Sequence, residues 1–164
     1  MANSAAAAFV FWLWVVAVFD LRRRRIPNWL VLAGLVAGSI AIATGTQPFG
    51  LNWSAAFAGG AAAFAFMLVF YIAKLMGAGD VKFAGALGFW IALDPLFEVW
   101  AIGSALAAAH GVAWWALHRW PIWPRLALAL SGPASPDQPA RRPRPIPYGA
   151  YLALGALGWM VWLR

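Results

Sequence analysis

The sequence predicts an all-α fold, a polytopic transmembrane helical bundle of about six spans. Three observations lead to that reading. Apolar residues make up 64% of the 164-residue chain and charged residues 10%, whereas a soluble domain carries roughly 25% charged residues. Apolar runs recur at lengths suited to a hydrocarbon core of ~30 Å, which takes about 20 helical residues to cross. Lys and Arg gather in every second gap between those runs, as topogenic charges do.

In chain order the runs place spans at 4–21, 27–44, 53–75, 80–93, 96–118 and 148–164. The first stretch, MANSAAAAFVFW, lacks a basic leading region and a small-residue cleavage site, so it reads as a retained span and not a signal peptide. The fourth run is short for the membrane and implies a start inside it or local thinning. The sixth is near the lower limit. Between the fifth and sixth runs, prolines recur from Pro121 to Pro147, which rules out a continuous helix. Residues 119–147 are therefore expected as a Pro-rich cytoplasmic loop, with an apolar turn on the membrane surface at 123–130. The whole chain, 1–164, then forms a single membrane-embedded domain.

Orientation follows from the same charges. The first, third and fifth gaps hold Arg22 to Arg25, Lys74 and Lys82, then Arg119, Arg125, Arg141, Arg142 and Arg144; the opposite side has only Arg164. Both termini are expected on the periplasmic side of an inner membrane, with the basic gaps in the cytoplasm. The net charge of +7 is thereby assigned to topology and anionic lipid, and no nucleic-acid partner is expected. The chain has no cysteine, which excludes disulfides and thiolate chemistry. His110 and His118 are too few for a structural zinc site, so no metal and no cofactor are expected.

Five acidic residues remain: Asp20, Asp80, Asp94, Glu98 and Asp137. An ionisable group in a span costs about 2.5–3.5 kcal/mol to insert, which makes it a functional candidate. Asp20 ends the first run and Asp80 opens the fourth, so the topology brings both to one depth on one side. Asp20 alone also fits an interfacial partner of the arginine block, and Asp80 alone fits a helix cap. Together they suggest a carboxyl pair. Two close carboxyls share one proton, so one takes a proton from water while the other donates to a carbonyl oxygen. Such a pair hydrolyses an amide without a metal. Gly77 and Gly79, just before Asp80, are expected to allow positive φ and the approach of an extended peptide.

At these residues the chain resembles the type IV prepilin peptidase family, the Gly-x-Gly-Asp intramembrane aspartyl proteases. The first likeness is Asp20-Leu-Arg-Arg-Arg-Arg-Ile-Pro-Asn28. The second is Gly77-Ala-Gly-Asp-Val-Lys82, and the third is Arg144-Pro-Ile-Pro-Tyr-Gly149, which carries Ala150 where the family often has proline. The resemblance covers nearly the whole chain. It implies an aspartyl endopeptidase that cuts the short basic leader from pilin precursors at the cytoplasmic face, with Asp20 and Asp80 as the catalytic pair. Longer members carry a cysteine-containing insert and also methylate the new N-terminus. Without that insert, the chain looks like the short branch serving tight-adherence (Flp-type) pili, with prepilin precursors and membrane lipid as partners and no methyltransferase activity.

The remaining motif residues receive supporting expectations. Lys82 lies about 200° round a helix from Asp80, so it is expected to anchor the helix end at the lipid surface. Pro27 and Asn28 are expected to shape the start of the second span. The rival readings are a small ion or solute transporter, which would place acidic groups at mid-membrane depth, and a non-catalytic pilus or secretion assembly factor.

Overall fold

Hydropathy makes helices of these runs, because a backbone in lipid must satisfy its own hydrogen bonds. The computed structural model describes residues 2–119 and 146–162. Among the described residues there are six helices: α1 (Ala2–Arg23), α2 (Asn28–Ala43), α3 (Trp53–Ile72), α4 (Ala78–Ile91), α5 (Leu96–Arg119) and α6 (Tyr148–Trp162). The all-α bundle is as expected. Of the Pro-rich loop expected at 119–147, residues 120–145 lie outside the described residues.

Local chemistry sets the helix ends. Pro27, with φ −72°, precedes α2 and has no N–H to leave unpaired. Asn52 caps α3 by accepting from the Ala55 N–H at 2.9 Å. At the end of α3, Lys74 takes a left-handed φ of 60°. The Lys74 N–H then donates to the Tyr71 carbonyl and the Leu75 N–H to the Phe70 carbonyl, both at 2.9 Å, which is a Schellman ending. That ending stops α3 at Ile72, short of the expected boundary at 75. Gly45, φ 66°, closes α2 in the same way.

Length and burial divide the helices into two kinds. α1, α3 and α5 are long and apolar enough to cross a membrane, and α2 is a shorter apolar helix. Their outward residues, Phe11, Trp14, Phe57, Val69, Phe97 and Val112 among them, are exposed apolar side chains. α4 has 14 residues, nine of them buried. It rises about 21 Å, less than a hydrocarbon core of ~30 Å. Neighbouring helices α2, α3 and α6 surround α4, so protein covers most of it.

Small residues permit the closest packing. A Cβ on Gly88 would overlap the Gly59 carbonyl oxygen, and one on Gly59 would overlap that of Gly88, so α3 and α4 meet backbone to backbone. Gly155 of α6 meets α5 at Val99 and Gly103 in the same manner. Two buried indoles tie α1 and α4 to α2. Trp12 Nε1 donates to the Leu30 carbonyl and Trp90 Nε1 to the Gly34 carbonyl, each at 2.8 Å. Phe9 stacks on Trp90 with centroids 4.8 Å apart. These contacts pack α1 and α4 on α2, and α6 on α5.

Candidate active site

The site is built on a helix start. Tyr151 N–H donates to the Pro147 carbonyl, so α6 begins beside the buried Pro147. The first N–H groups of a helix have no intrahelical acceptor and carry the positive end of its dipole. In α6, two of these donors are consecutive and both meet carboxylates. The Gly149 N–H donates to Asp80 Oδ1 at 3.0 Å, and the Ala150 N–H donates to Asp20 Oδ2 at 2.9 Å. A Cβ placed on Gly149 would lie 3.1 Å from Asp80 Oδ1 and 3.3 Å from Asp20 Oδ2. Neither oxygen is therefore farther from the other than those two distances laid end to end.

Each aspartate reaches this point from a different local setting. Asp20 is 3% exposed and sits in the last turn of α1, the negative end of that helix. The α6 start supplies the favourable field that its own helix denies it. Asp80 occupies the third position of α4. Its Oδ2 accepts from the N–H of Gly77, the N-cap residue, at 3.3 Å. One oxygen of Asp80 thus serves the start of α4 and the other the start of α6.

The supporting residues are placed as follows. Gly77 has φ −82°, and positive φ occurs at Arg24, Lys74, Ala92, Gly45 and Gly50, not at Gly77 or Gly79. The expected left-handed geometry is therefore absent there. Gly79 contributes closeness, since a Cβ on it would come within 3.4 Å of the Ile26 backbone nitrogen. Lys82 is exposed, and its Nζ donates to Asn28 Oδ1 at 3.0 Å. That bond links the starts of α4 and α2, a role beyond the expected lipid anchor. Pro27 and Asn28 open α2 beside it.

Sequence reasoning missed Ile26. It is 8% exposed, lies against Gly79, and packs so closely on Gly149 that a Cβ there would overlap its Cδ1. Ile26 thus packs between the start of α4 and the start of α6. The third motif was legible as Pro-x-Pro-Tyr-Gly, but nothing in the letters shows that its backbone N–H groups are the contact. Nearby, Ser104 and Tyr148 hydroxyls pair at 3.0 Å and Tyr151 pairs with His110 Nδ1 at 2.6 Å, joining α5 to α6.

These features define a multi-pass helical membrane protein in which two aspartates from distant helices meet at the start of a third. Residues 7–112, which contain both aspartates and the first two motifs, match the type IV leader peptidase family. The chain belongs to that family. Comparison with curated proteins and with solved structures gave no match.

Proposed function

We propose that the chain is a membrane aspartyl endopeptidase that removes the short basic leader from type IV (Flp-like) prepilin precursors at the cytoplasmic face of the inner membrane. It does so without methyltransferase activity and with both termini periplasmic. Family membership supports the reaction class. The single observation that carries the site assignment is the binding of Asp20 and Asp80 by adjacent N–H groups of α6.

The chemistry follows from two carboxyls sharing a proton. A water held between them loses a proton to the ionised carboxylate while its oxygen attacks the scissile carbonyl carbon. The protonated carboxyl donates to the carbonyl oxygen, giving a tetrahedral diol. Collapse returns the proton to the departing amine. The α6 N–H groups hold the carboxyls in place through this cycle. A precursor entering sideways as a helix must unwind at the scissile bond, because helical peptide bonds are shielded.

The test is co-expression with a pilin precursor. The expected result is a mobility shift that requires both Asp20 and Asp80. Processing by either Asp→Asn variant at the wild-type level would overturn the assignment.

A further inference from the structure

Beside Asp80 lies a cavity of about 300 Å³, between the end of α3, the start of α4, α5 and the start of α6. Phe70, Trp100, Ala107 and Ile146 give it apolar walls, and Ser104 and Tyr148 bring its hydroxyls. This volume is at the small end of ligand pockets, which run ~300–1,000 Å³. It suits one side chain and its backbone, not a helical turn.

The hydroxyl pair is informative. Each hydroxyl carries one proton, and the 3.0 Å bond between Ser104 Oγ and the Tyr148 oxygen uses only one of the two. Among the described residues neither hydroxyl has a second partner. One O–H is therefore available for an acceptor in the cavity. An unwound peptide in a water-poor site presents that acceptor, since its carbonyls have lost their helical donors and are costly to leave unpaired.

We infer that this cavity binds the unwound residue next to the scissile bond, its apolar side chain against Ala107 and Ile146 and a peptide carbonyl on the Ser104–Tyr148 pair. The inference rests on the peptidase reading and adds to it the subsite that selects side-chain size. Asp80 on the cavity wall sets the register, because a side chain seated there leaves the adjoining peptide bond beside the carboxyl.

The experiment uses the full chain in detergent micelles and synthetic precursors with a basic leader and an apolar helix. The residues on either side of the cut are varied in turn through Ala, Leu and Phe. In Ala107→Phe the ratio of kcat/KM for the large over the small side chain falls at least ~10-fold at one flanking position, the scale of a methylene misfit in an apolar pocket. Ile146→Ala shifts the same ratio the other way, so the prediction stands even if the filled variant does not fold. Ser104→Ala combined with Tyr148→Phe lowers kcat/KM at least ~10-fold with the size profile retained. A size profile unmoved in both cavity variants overturns the pocket, and full activity in the double variant overturns the carbonyl contact. Absence of any cleavage by the wild type instead overturns the peptidase reading, and this inference with it.

Discussion

Lys82 and Asn28, 54 residues apart, are joined by a 3.0 Å hydrogen bond from the Lys82 ammonium to Asn28 Oδ1. The bond crosses from α4 to α2 immediately beside the turn that carries Ile26 and Pro27. Its exposure limits its strength to about 1 kcal/mol. Lys82→Met and Asn28→Leu are each expected to lower the unfolding midpoint in detergent by a similar amount, with the double variant no lower than either single. Additive losses would show that the two residues act separately.

Gly149 has no room for a side chain. Alanine there would overlap Ile26 Cδ1 and crowd an oxygen of each aspartate. Overpacking of this kind costs about 1–3 kcal/mol, and a displacement near 1 Å at a reacting centre costs about 100-fold in rate. Gly149→Ala is expected to retain the helical bundle and lose most of its kcat. Purified protein assayed against a precursor peptide, with circular dichroism alongside, reads both effects.

Packing between α3 and α4 gives a stability prediction separate from the site. Gly88→Ala is expected to lose about 1–3 kcal/mol, since its Cβ would overlap the Gly59 backbone. Gly158 faces open space, so Gly158→Ala is expected to gain up to about 1 kcal/mol from helix propensity. Thermal unfolding of the two variants side by side measures the contrast.

The carboxyl pair is expected to fail as a unit. Asp20→Asn and Asp80→Asn are each expected to lower kcat by about 10²–10⁴-fold, and the double variant to fall little further, because residues in one proton-sharing device are not additive. Single-turnover cleavage of a precursor peptide by the three variants is the measurement. Multiplying losses would mean two independent roles.

Much of the architecture was legible because a bilayer imposes a simple code of apolar length and flanking charge. Asp20 and Asp80 stood out for the same reason, as rare ionisable groups at span ends. The rest was hidden by physics that leaves little trace in the letters. The donors that gather the carboxyls are backbone N–H groups, which every residue but proline possesses. Ile26 is an apolar residue in an apolar chain. The early end of α3 depends on Lys74 at a left-handed position where glycine is the usual signal, and the Lys82–Asn28 bond spans too much sequence for local spacing to suggest it. Gly77 and Gly79 were read as shaping the site, yet neither takes the positive φ that their residue type suggested.

The dependence of both aspartates on residues 149 and 150 has a consequence for biosynthesis. A nascent chain that has inserted α1 through α5 already holds both acids, with α1 and α4 packed on α2, but it lacks the two N–H donors of α6. On the proposed assignment, the carboxyl pair is therefore completed late, when α6 docks.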